Sequence, residues 1–285
     1  MVEKKDITSQ NLDEAMNFNP NEHREMTIHD YYTNPYGKGS TFVNVTKIKE
    51  DLELRYDKML AKSKKGFHVK VYRRGRKENA EYFILVHMPS ETLEGLYYDV
   101  VIQLTPWKGT EHAKTINNYH IKFFSNSASF VFTFAYTYNI HNLLVKECIN
   151  KLDKETLRKS PTIRNQHNMV GFEKTLFYAC HYIMNNLSEL STLNEVAIEM
   201  NERKMLENIS TSDEKLAEYR TLKRIAKENG EETEKSTSPS ITRKQTDKKK
   251  ARTERTDKKA KTTKTSGRSK TSSSKAKIKG KRKLK

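Results

Sequence analysis

The chain has 285 residues, of which 34% are hydrophobic and 32% charged, a balance too polar for a wholly globular protein. Its net charge of +18 is unevenly spread: residues 241 to 285 hold 20 Lys and Arg against Asp247, Glu254 and Asp257, and the rest holds 34 basic and 33 acidic residues. Two cysteines, Cys148 and Cys180, exclude a disulfide framework or a cysteine-based zinc site, while the polar opening and the lack of any run of about 18 apolar residues argue against a signal peptide or a membrane span.

Residues 1 to 40 read as a polar arm, interrupted by Asn19-Pro20, Asn34-Pro35 and Gly37-Lys38-Gly39-Ser40, with Tyr31, Tyr32 and Tyr36 available to pin it to a domain. Gly37 and Gly39 complete neither the P-loop nor the dinucleotide pattern. With Thr46 as N-cap, Ile48, Leu52, Tyr56, Met59 and Leu60 recur at three- and four-residue spacing, which predicts an amphipathic helix ending in lysines before Gly66. Phe67, Val69 and Val71 alternate with His68 and Lys70 as a half-exposed strand, and Arg73 to Lys77 form the basic turn that follows.

Tyr82 to Met88 and Leu96 to Leu104 are short apolar, aromatic and β-branched runs bounded by Pro89, Gly95 and Pro106. They predict two adjacent buried strands at the centre of a sheet, with both faces covered. After a polar loop from Trp107 to Asn118, Tyr119, Ile121 and Phe123 alternate as a fourth strand. Phe130, Phe132, Phe134 and Tyr136 alternate as a fifth with an aromatic face.

From Ile140 the period lengthens to about 3.6, with Leu144, Cys148, Ile149 and Leu152 on one helical stripe up to Ser160-Pro161. Phe172, Leu176, Phe177, Cys180, Ile183, Met184 and Leu187 predict the most apolar helix, and Leu193 to Met205 and Asp213 to Lys227 two peripheral ones. Tyr219 is the last aromatic residue, so the text after it lacks the apolar area to offset chain entropy and reads as disordered.

This order of helix, four-strand meander and helices resembles the ubiquitin-conjugating fold and its inactive relatives, including the RWD domains. The matching text is Tyr82 to Pro106, with a strand, the Pro89 turn, Leu93-Glu94-Gly95, a second strand and the closing Pro106; in topology the resemblance covers roughly residues 46 to 190. No His-Pro-Asn tripeptide follows the fourth strand and no cysteine lies between Phe124 and Tyr138, so the resemblance implies a catalytically inactive member.

The histidines are scattered, with His68 and His120 on strands, His87 ending one and His181 beside Cys180, and no HExxH motif or paired-carboxylate helix is present. Both cysteines fall on apolar stripes, which speaks against a thiol enzyme. No catalytic residue, metal or cofactor is expected.

The basic tail has a mechanism of its own: a polycation neutralises phosphates and releases their counterions whatever the sequence. Its candidate nucleic-acid contacts are Lys248, Lys249, Lys250, Arg252, Arg255, Lys258, Lys259, Lys261, Lys264, Arg268, Lys270, Lys275, Lys277, Lys279, Lys281, Arg282, Lys283 and Lys285. Ser, Thr and Ala between them resemble the tails of linker histones, and without an aromatic residue the tail cannot stack on bases. Arg73, Arg74, Arg76 and Lys77 are a second candidate contact, on the folded part.

The expected architecture is an α+β domain over residues 41–228, an antiparallel meander of four to five strands with an N-terminal helix and several C-terminal helices. A polar arm (1–40) precedes it and a disordered Lys/Ser/Thr-rich tail (229–285) follows. The leading expectation for function is a non-enzymatic intracellular protein, cytoplasmic, nucleoid-associated or in a virion, whose domain docks on a protein assembly while its tail holds nucleic acid without sequence preference. Its Asn-, Lys- and Tyr-rich wording fits a viral or phage origin. The alternatives are an inactive ubiquitin-conjugating-like adaptor and an enzyme with an unrecognised site.

Overall fold

The structure, a computed structural model, describes residues 25–36, 44–62, 66–107, 113–165 and 168–229. All of these residues belong to one compact unit, which lies within residues 1–236. The expectations for the start of the polar arm, for Gly37 to Ser40 and for the disordered tail lie outside the described residues.

The expected α+β architecture is what the structure has. Helix α1 (Ile28–Thr33) and helix α2 (Val45–Lys62) precede strands β1 (His68–Arg74), β2 (Glu81–Pro89), β3 (Tyr97–Thr105) and β4 (His120–Ser125). These four form an antiparallel meander, and a short β5 (Ala197–Glu199) joins parallel to β1, giving the order β4-β3-β2-β1-β5. The two apolar runs are β2 and β3, where Tyr82 to Val86 and Val100 to Ile102 are almost wholly buried. Gly95, at φ 83°, takes the left-handed turn between them that a side chain would strain.

Both faces of the sheet are covered. On one, the Phe123 ring packs tilted against Tyr31 with centroids 4.5 Å apart, and Ser125 meets Thr175 of α5 (Lys174–Asn186), the apolar helix expected from the sequence. On the other, Arg74 reaches Glu147, Lys70 reaches Asn208, and the Ser210 N–H donates to Asp99, so the 146–152 and 202–212 segments lie over it. Met26, Ile28 and Tyr31 belong to the same core, so the tyrosine-bearing end of the arm packs on the domain.

Four expectations are corrected. Helix α2 is capped by Asn44, whose Oδ1 accepts the Lys47 N–H at 3.0 Å, and Thr46 lies inside the helix. The expected fifth strand at Phe130 to Tyr136 is helical: α3 (Ala128–Thr133) starts on a Ser127 cap, and α4 (Ala135–Ile140) continues after Phe134. Alternating aromatics also contain a helical stripe, and it is Phe130, Val131, Ala135 and Tyr138 that are buried, with Phe132 54% exposed. The helix expected from Ile140 stops at Asn142, at φ 54°; Leu143 to Val145 then run extended beside β4, with Phe123 N–H donating to Leu143 O and Val145 N–H to Phe123 O. Cys148 sits in the 3-10 turn Lys146–Lys151. Finally, the helix expected over Leu193 to Met205 is split into α6 (Leu190–Val196), β5 and α7 (Glu202–Glu207), because the sheet accepts a parallel strand at β1 there. The last helix, α8 (Ser212–Glu228), matches its expected place and carries a full Thr211/Glu214 capping box.

Candidate nucleic-acid interface

The tail cations from Lys248 to Lys285 lie outside the described residues, so the described candidates are those at the β1–β2 turn. There Gly75, at φ 94°, turns the chain. Arg73 is half-buried and its Nε has no hydrogen-bond partner. Arg74 is committed to the fold: its Nε donates to Glu81 Oε2 at 2.6 Å, its Nη2 to Glu147 Oε1 at 2.8 Å, and its guanidinium lies 4.7 Å from the centre of the Phe83 ring. Arg76 and Lys77 are exposed and enter no ion pair among the described residues. Four residues that look alike in the sequence thus differ in the structure: Arg74 is tied to the fold, Arg73 is half-buried, and Arg76 and Lys77 are exposed.

Among the described residues two carboxylates, Asp99 and Glu173, are buried, and each cross-links elements of the fold. Asp99, 3% exposed, accepts from His87 Nδ1 at 2.7 Å, Asn126 Nδ2 at 2.8 Å and the Ser210 N–H at 2.8 Å. Burial by itself would raise its pKa, but the His87 and Ser210 hydrogen bonds outweigh it and hold the carboxyl below the usual range. Glu173, 1% exposed, caps α5 by accepting from the N–H groups of Thr175 at 2.7 Å and Leu176 at 3.0 Å, and from the Thr175 hydroxyl at 2.6 Å.

At the surface of α2, Arg55 forks onto Glu91 at 2.9 and 2.8 Å and Lys174 joins them at 3.0 Å, which overcomes the raising effect of burial and lowers the Glu91 pKa. A carboxyl with a depressed folded pKa stabilises the fold at pH above its unfolded value and ceases to do so as pH falls through the folded one. Asp99 and Glu91 should therefore make the protein lose stability as pH drops below about 4. A urea midpoint measured against pH checks this, and in Asp99→Asn the loss on acidification should be smaller.

Both thiols are buried at 0% exposure, and burial pushes each well above the ordinary cysteine range. Neither should react with a thiol reagent in the folded protein, and Ser in place of either should cost about 1–3 kcal/mol of stability for a buried hydroxyl without a ready partner. Rapid labelling of the native chain would overturn this assignment. Among the described residues no group of three His, Cys, Asp or Glu is placed to hold a metal, and no helix is long and apolar enough to cross a membrane.

An open groove of about 810 Å3 lies between α3–α4 and the 153–164 segment. Phe132 and Ile163, 54% and 87% exposed, face into its surroundings, and its charges are mixed, with Lys159 and Arg164 beside Asp153 and Glu155.

These features define an α+β protein on a meander sheet, with buried carboxylates that cap and cross-link its elements. The chain matches no protein-family model, no curated protein and no solved structure.

Proposed function

We propose that this is a non-enzymatic nucleic-acid-associated protein, intracellular or carried in a virion, whose folded unit docks on a protein partner while its polycationic tail binds nucleic acid without sequence preference. One observation carries the reading: +17 of the net +18 lies in residues 241–285, and the remainder is almost neutral. Internal ion pairs such as Arg74 with Glu81 and Glu147, or Arg55 and Lys174 with Glu91, consume part of the remaining charge in the folded unit. The test compares nucleic-acid affinity against salt for the full chain and for a chain lacking residues 241–285. Retention of a steep, tail-independent salt slope counts against the reading.

The second reading, an inactive ubiquitin-conjugating-like adaptor, is favoured by the order of α2, the four-strand meander and the later helices. In that case the tail serves localisation or solubility. It would be preferred if the full chain bound no nucleic acid at about 50 mM salt, where a polycation is at its strongest, yet still retained a protein partner.

A further inference from the structure

The β1–β2 turn and the β3–β4 connection leave the sheet at the same end, because Arg74 pairs with Glu81 across one ladder and Thr105 with His120 across another. Trp107, the only tryptophan of the chain, follows β3 there and is 54% exposed, its ring 5.4 Å from that of His120. His120 and Lys122 are two residues apart on β4, so they share a face at a spacing of about 7 Å. Lys146 belongs to the 3-10 turn laid over that same face, held there by the Glu147–Arg74 ion pair.

Lys122 is half-buried and enters no ion pair among the described residues. Burial, and then the neighbouring Lys146, lower its pKa against the smaller raising effect of Glu147 and Glu81, carboxylates that also bind Arg74, Gln103 and Thr105. Glu147 and Glu81 offset this only in part, since the Lys122 pKa stays lowered, and a bound anion would add to the compensation. Arg76 and Lys77 extend the positive charge onto the neighbouring turn. The groove beside Phe132, by contrast, mixes its charges and selects no sign.

We propose that this end of the sheet binds single-stranded nucleic acid, with a base stacked on Trp107 and the phosphates on Lys122 and Lys146. The site rests on the nucleic-acid reading above and adds what the tail cannot supply. An indole offers its π-face to any base, which a duplex keeps inside its own stack and a single strand presents. Arg74 is a positioning residue, since it anchors the turn that brings Lys146 to Lys122.

The experiment titrates the full chain with an oligothymidine of about 12 nucleotides and a duplex of similar length, and reads the fluorescence of its only tryptophan. Oligothymidine should quench it and the duplex should not. Trp107→Ala should weaken oligothymidine binding about 5- to 150-fold, the worth of one stacked base, with the loss confined to the single strand, and Trp107→Phe should keep most of the affinity. Lys122→Gln with Lys146→Gln should lower the salt slope for oligothymidine by roughly 1–2. Salt-dependent binding of both probes with unchanged fluorescence, or an equal loss on both in Trp107→Ala, overturns this site alone. Binding of neither probe overturns the nucleic-acid reading together with it.

Discussion

Removing residues 241–285 is expected to abolish most of the salt dependence of nucleic-acid binding. For a protein contacting some 6–10 phosphates, affinity falls about 10^3- to 10^5-fold between roughly 50 and 200 mM salt, and the tail's 20 cations are ample for that number. The truncated chain, left with the near-neutral folded part, should lose no more than about tenfold over the same interval, the share of one or two contacts. It should still unfold cooperatively, because among the described residues the buried apolar side chains run from Met26 to Ala226, before the cut. Equal slopes for the two chains would remove the basis of the proposed function. A truncated chain that failed to melt cooperatively would show that the tail contributes to the fold.

Asp99→Ala is expected to cost about 2–5 kcal/mol of folding stability, because it leaves buried donors without their acceptor at about 1–3 kcal/mol each. The carboxylate joins three parts of the chain: His87 on β2, Asn126 beyond β4, and Ser210 just before α8. Its removal leaves the Ser210 N–H and the Asn126 amide without their acceptor on a buried face. Asn126 also donates to Ser210 O at 3.1 Å and accepts the Asp99 N–H, so the loss propagates to the seating of α8. Denaturant unfolding gives the number directly, and Asp99→Asn, which keeps an acceptor oxygen, should cost less. A midpoint equal to that of the parent protein for Asp99→Ala would show that the network carries no weight.

What the sequence by itself determined lies where the signal is local. The runs of β2 and β3, closed by Pro89, Gly95 and Pro106, read as strands because they are short, rich in aromatic and β-branched residues and bounded by breakers. The stripe from Phe172 to Leu187 likewise permits only a helix with an apolar face, and α5 is that helix. The partition of charge between folded part and tail is a property of composition, untouched by folding. Only the tertiary structure decided the rest. Phe130 to Tyr136 satisfies both a period of two and a period of four, and the choice fell to whichever residues could meet the core. Tyr138 does so, against Phe123 and Phe130, and that fixes a helix. β5 exists because β1 offers it a ladder, and Leu143 to Val145 are extended because β4 has an edge to close. Arg74 and Arg76 are indistinguishable as text, yet one is spent on Glu81 and Glu147 and the other is exposed. Trp107, Lys122 and Lys146 are far apart in the chain, and the strand register and the Arg74–Glu147 anchor bring them to one end of the sheet, a pairing in space that no spacing in the sequence encodes.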